Sequence, residues 1–151
     1  MMTSNRILIR ADIGDVYRAA ADVLEWPRLL SHYRWVRLVE GDASNGHCVV
    51  EMAASRTGFP CSWRSRMELH PEEHRIRYVH TRSTWTRGME VWWILRTTTD
   101  GLVEATITHE MPRSNFVMEW FRKWVVGRMF VENIADKTLR GLKQHLERGV
   151  S

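Results

Sequence analysis

From Trp35 to Met111 apolar and polar positions alternate with a period of two, and after Ser114 the period changes to three and four. The alternating part divides at turn residues. Trp35–Glu40 is a strand. GDASNG at 41–46 is turn chemistry, and His47–Arg56 follows with Cys48, Val50, Met52 and Ala54 on one face. After a turn at Thr57–Gly58, Phe59–Leu69 sets Phe59, Cys61, Trp63, Ser65, Met67 and Leu69 against Arg64, Arg66 and Glu68. Beyond a turn at 71–73, Arg75–Arg82 sets Ile76, Tyr78 and His80 against Arg75 and Arg77. Met89–Thr97 does the same with Val91, Trp93 and Leu95 against Glu90, Trp92 and Arg96. Asp100–Gly101 is a hairpin signal, and Leu102–Met111 turns Val103, Ala105, Ile107, His109 and Met111 inward.

The two ends of the chain behave differently. RILIR at 6–10 is a short strand, and Asp12 opens a helix with Asp15 three residues on and Val16, Ala19, Ala20 and Val23 on its buried face. Trp26–Tyr33 reads as a second short helix with Pro27 in its first turn. At the other end, Val117, Phe121, Trp124, Val125, Val131, Ala135, Leu139, Leu142 and Leu146 form one stripe, which predicts a helix over 114–147. About 34 residues at ~1.5 Å each make a rod of roughly 50 Å.

The element order is β-α-α-β6-α. This predicts an α+β fold in a single domain, 1–151, with a curved antiparallel sheet of about seven strands wrapped around the long C-terminal helix. A twisted sheet cannot touch a straight rod everywhere, so a pocket is expected between them. Trp63, Ser65, Tyr78, His80, Trp93 and His109 are expected to reach into it from the strands. Trp26 and Tyr33 close it from the short-helix side, and Phe121, Trp124 and Val125 from the long helix.

Composition adds to this picture at three points. Eight Trp and eight Met in 151 residues describe either a deformable apolar cavity or a Trp-rich core. Twenty-two Lys and Arg against 18 Asp and Glu give a net charge of +4, spread without a basic run or a nucleic-acid motif, so no nucleic-acid partner is expected. Cys48 and Cys61 lack CxxC spacing and read as reduced core residues. With no signal peptide and no stretch of ~18 apolar residues, the expected location is cytoplasmic.

Several motifs resemble the START-related helix-grip superfamily (SRPBCC), in particular its polyketide cyclase/dehydrase and coenzyme Q-binding branch. They are DIGDVYRAAADVLEWPRLLSHY at 12–33, WRSR at 63–66, HEMP at 109–112 and LRGLK at 139–143. The resemblance runs over essentially the whole chain. It implies the helix-grip fold and, in the aromatic polyketide cyclases, a pocket that uses a Tyr, a Ser and an Arg. Tyr33 matches that Tyr and Ser65 that Ser; Met67 stands where the resemblance implies the Arg. Alternation points Arg64 and Arg66 outward, and a β-bulge is the one device that would turn Arg66 inward.

The remaining chemistry rests on His80 and His109. Each reads either as a general acid/base or as a hydrogen-bonded core residue. No His, Asp and Glu set has metal-ligand spacing, and no phosphate loop or hydrolase elbow occurs, so neither metal nor cofactor is expected. Three functions remain open. One is binding of an apolar ring compound (a polyketide, a quinone or a lipid-like molecule) through Trp26, Tyr33, Trp63, Ser65, Met67, Tyr78, Trp93, Phe121, Trp124 and Val125. The second is an aromatase/cyclase acting on a poly-β-ketone chain with Tyr33, Ser65 and one of His80 or His109. The third is an assembly module. Met118, Trp120, Val126 and Phe130 need cover from a mouth loop, a second copy of the chain or a peripheral membrane contact.

Overall fold

A computed structural model describes residues 2–56, 59–83, 86–111 and 132–148. Seven strands form one sheet: β1 (Met2–Ile9), β2 (Tyr33–Asp42), β3 (His47–Arg56), β4 (Phe59–His70), β5 (Arg75–Arg82), β6 (Glu90–Thr97) and β7 (Val103–Glu110). Their order is β1-β7-β6-β5-β4-β3-β2, and every neighbouring pair is antiparallel. Two short helices, α1 (Ile13–Ala21) and α2 (Trp26–Leu29), link β1 to β2 across the sheet, and α3 (Glu132–Glu147) closes the chain. The helices gather on one face of the sheet, which is the helix-grip arrangement.

Alternation sets which face is dry. On β5, β6 and β7 each expected inward residue is buried and its neighbours are not. The wet face is laced with ion pairs: Arg77 bridges Glu68 at 2.9 Å and Glu90 at 3.0 Å, and Glu51 takes both Arg37 and Arg64. The Asp100–Gly101 hairpin forms as expected, with Gly101 at φ +80°, where a side chain would be strained.

Two boundaries differ from the sequence reading. β1 starts at Met2 and pairs with β7 over its full length, because Thr3 and Asn5 occupy inward positions that an apolar pattern does not flag. Asn5 there donates from Nδ2 to the Glu132 carbonyl at 3.1 Å. The second short helix stops at Leu29, where Leu30 turns extended at φ −124°, so Tyr33 begins β2 instead of ending a helix.

Asp12 caps α1 by accepting from the Gly14 N–H at 2.8 Å. The apolar side of α3 is Ala135, Leu139 and Leu142, with Thr138 among them. Gly141 lets α3 approach α2 closely, since a Cβ there would overlap Leu30 Cδ2. Lys143 Nζ donates to the Leu8 carbonyl at 2.6 Å, and Glu147 accepts from the Arg10 N–H at 2.9 Å, which ties the helix to β1. The first half of the expected helix, with Phe121, Trp124 and Val125, lies outside the described residues.

Cys48 pairs in register with Met67, and Cys61 with Ala54, six positions further along β3. At ~3.3 Å per residue the two thiols are roughly 20 Å apart, far beyond disulfide reach. Both are free thiols, and burial raises the pKa of each. Intact mass is expected to be identical before and after reductant; a shift to higher mass on reduction would refute this register.

Candidate functional site

A cavity of about 300 Å³ opens between the sheet and α3. Its floor comes from β4 to β7: Trp63, Tyr78, His80, Val91, Trp93, Ile107 and His109. Trp26 from α2 and Tyr33 from the start of β2 close one side, and Ile134, Ala135 and Thr138 of α3 form the roof. The aromatic rings touch one another in sequence. Trp26 lies 5.1 Å from Tyr33 and 5.7 Å from Trp93, Tyr33 lies 6.3 Å from Trp63, and Trp63 stacks on His80 at 5.7 Å and 13°. Trp26 spends its N–H on the Ala19 carbonyl at 3.1 Å, so it offers the cavity an apolar ring.

The wall also carries polar groups, and burial holds all of them neutral. Desolvation pulls the His80 imidazole down to about 3. It pulls His109 down to about 3 as well, with the neighbouring His80 adding to the effect. The same cause raises the Tyr33 and Tyr78 phenols above their ordinary range. At pH 7 the wall therefore holds two phenols and two uncharged imidazoles. Tyr78 Oη and His109 Nδ1 have no hydrogen-bond partner among the described residues. An unpartnered buried polar atom is costly, and a ligand atom would satisfy each.

Two hydrogen-bond chains orient the rest. On the mouth side, His80 Nδ1 lies 2.7 Å from Thr86 Oγ1, and Thr86 in turn donates its hydroxyl to Ser83 Oγ at 2.8 Å. The hydrogen bond anchors the His80 ring at Nδ1; in the tautomer that carries its proton there, Nε2 presents a bare lone pair. On the roof side, Thr138 donates to the Ile134 carbonyl at 2.7 Å. Its oxygen lies 3.0 Å from His32 Nε2 and 3.4 Å from Tyr33 Oη. Burial, then the nearby Lys137 ammonium, pulls His32 down to about 4.

Ser65 and Met67 do not line this cavity. Both are buried, at 0% and 1% exposure, further along β4. Ser65 sits in register between Val50 and His80. Met67 sits between Cys48 and Tyr78 in the closed core. A register shift does occur beside Arg64, but the extra residue is Thr81 on β5. It leaves the phase of β4 unchanged: Arg64 reaches Glu51 at 2.8 Å on the wet face and Arg66 is exposed. No guanidinium lines the cavity among the described residues, and no group of three His, Cys, Asp or Glu side chains there could hold a metal. Nor is any described helix long and apolar enough to cross a membrane.

Sequence reasoning passed over His32, Ser83, Thr86 and Thr138. Thr86 bonds the His80 ring, Ser83 holds Thr86, and Thr138 joins His32 to Tyr33, all through hydrogen bonds across a turn or far along the chain that no periodicity signals.

Among solved structures, the Zhui aromatase/cyclase from a Streptomyces species superposes with a TM-score of 0.80 at 19% identity, covering 100% of this chain and 96% of that one. A Thermus thermophilus protein gives a TM-score of 0.77 at 20% identity, with 100% of both chains covered. The di-domain aromatase/cyclase BexL gives 0.73 at 24% identity over 97% of this chain, which spans 46% of that protein. At this identity the likeness is one of fold. In sequence, a Streptomyces halstedii protein named as a polyketide cyclase is 25% identical over 101 residues, covering 67% of this chain and 93% of the relative. The sequence pattern shared by polyketide cyclases/dehydrases and lipid transport proteins matches residues 9–138, and the chain belongs to that family.

Proposed function

We propose that this protein binds an apolar, ring-bearing molecule of polyketide or quinone type in the cavity between sheet and helix. The observation that carries the reading is a wall of aromatic rings broken by neutral polar atoms, two of them without partners: Tyr78 Oη and His109 Nδ1. Such a wall suits a flat ring body with a few ketone or hydroxyl oxygens. The family, with its cyclase and lipid-transport members, supports a small-molecule ligand of this character. The test uses 1,8-dihydroxyanthraquinone, titrated by quenching of Trp fluorescence. Wild-type protein is expected to bind it at micromolar concentration. Ala135→Phe, which grows a ring into the cavity from α3, is expected to weaken binding at least about tenfold without lowering the melting temperature, because the added ring fills existing space. Undetectable binding to wild type, or an Ala135→Phe variant that binds equally well, would overturn the reading.

The hydrogen bond that anchors His80 at Nδ1 favours a second, catalytic reading: aldol cyclisation of a poly-β-ketone. His80 Nε2 would take a proton from a methylene between two ketones. The enolate carbon would attack a second ketone of the same chain to form the ring bond, and the Tyr33 or Tyr78 phenol would hydrogen-bond the resulting alkoxide. The alkoxide takes the proton back from His80 to become a hydroxyl, which then leaves with a hydrogen from the neighbouring ring carbon as water, and this elimination moves the ring toward aromaticity. The expected signature is selective. Tyr33→Phe and His80→Gln lower turnover of a diketide-bearing aromatic substrate at least about a hundredfold while changing its affinity only a few-fold. Parallel losses of both would leave binding as the function.

A further inference from the structure

Ion pairs lace much of the wet face of the sheet, but at the mouth of the cavity arginines outnumber carboxylates. Arg64 and Arg82 stand directly opposite each other on β4 and β5. Like charges at opposed positions of an antiparallel pair repel. Glu51, opposite Arg64 on β3, is the one carboxylate nearby, and Arg37 already shares it. Arg82 and Arg87 are exposed and have no carboxylate partner among the described residues. These three arginines line a groove with Glu51, Thr81, Ser62 and Ser83, three guanidinium groups to one carboxylate. Ser62, Trp63 and Ser83 line both the groove and the cavity, so the two spaces adjoin at these residues.

We propose that this groove is an anion subsite for the same ligand. The ring body sits in the cavity, and a carboxylate or phosphate on a short tether emerges past Trp63 to lie between Arg82 and Arg87, with the serine hydroxyls as further donors. An anion there would relieve the Arg64–Arg82 repulsion, which Glu51 balances only in part. The cavity can then stay free of charge: the neutral wall holds the rings, and the charged end is read where water still screens and solvates it. The proposal rests on the ring-binding reading of the cavity and extends it to an amphipathic, anionic ligand class.

The probes are 4-(1-pyrenyl)butanoate, the phosphate monoester of 4-(1-pyrenyl)butanol, and that alcohol itself, which shares their ring and tether without the charge. Wild-type protein is expected to bind at least one anion about tenfold more tightly than the alcohol. Arg82→Gln combined with Arg87→Gln removes that advantage and leaves the alcohol unchanged, as does salt at about 0.5 M. The stronger of the two anions identifies the group. If the alcohol binds and neither anion gains over it, the subsite is wrong and the cavity reading stands. If all three probes weaken equally in the double variant, the arginines shape the mouth without reading charge, and the proposal falls. If the alcohol does not bind wild type, the cavity reading falls and takes this one with it.

Discussion

Lowering the pH from 7 to about 4.5 is expected to remove roughly 5 kcal/mol of folding stability, with His80 and His109 as the main cause. Both imidazoles are held neutral in the folded protein down to about pH 3, whereas in the unfolded chain they protonate near 6.5. Between those values the unfolded state binds more protons. Stability is therefore complete above about 6.5 and falls as pH drops toward the folded value. Two pH units at 1.36 kcal/mol each give about 2–3 kcal/mol per histidine at pH 4.5. His32, pulled down to about 4, adds in the same direction. Against a usual total of about 5–15 kcal/mol, the protein should approach unfolding in mild acid. The carboxylates contribute later: ion pairs hold Glu51, Glu68 and Glu90 below their ordinary range, so their share is lost only as pH falls further. Urea midpoints at the two pH values test this. The double variant His80→Gln, His109→Gln should show a much flatter dependence. A wild-type midpoint that does not move would mean that both rings are solvated.

Met67→Arg is expected to cost at least about 3–5 kcal/mol, the penalty of an unpaired buried charge, and to leave little folded protein. By sequence, Met67 counts among the residues expected to bind an apolar ring compound. The structure puts it at 1% exposure between Cys48 and Tyr78 and outside the cavity, with no carboxylate in register beside it. A guanidinium there has neither water nor a counter-ion. Met67→Leu, which keeps the volume and polarity, should cost under about 1.5 kcal/mol and serves as the control. Thermal melting and soluble yield decide the matter. An arginine variant that melts within about 2 °C of wild type would show that space opens at this position. The arginine that the family resemblance implies could then be accommodated on this backbone.

Alternation by itself determined most of the sheet. Arg64, Glu68, Arg77 and Glu90 cannot enter a dry interior, so their neighbours must face in, and the inward set on β3, β5, β6 and β7 follows from that one physical fact. The element order and the position of the C-terminal helix face were legible for the same reason: Ala135, Leu139 and Leu142 repeat at helical spacing. Facing inward is a local property, but facing a cavity is not. Ser65 and Trp63 share a strand and a phase, yet of the two only Trp63 lines the cavity, because lining depends on side-chain reach and on what packs beside it. The inward polar positions of β1 and the end of α2 before Tyr33 escaped the pattern, since each is set by a partner or a backbone turn and not by apolar spacing. The hydrogen bond between His80 and Thr86, the contact of Tyr33 with Thr138, and the opposition of Arg64 to Arg82 join residues up to 105 positions apart. Strand register and helix docking decided those contacts, because a hydrogen bond or a charge pair depends on separations of a few ångströms that only the folded chain defines.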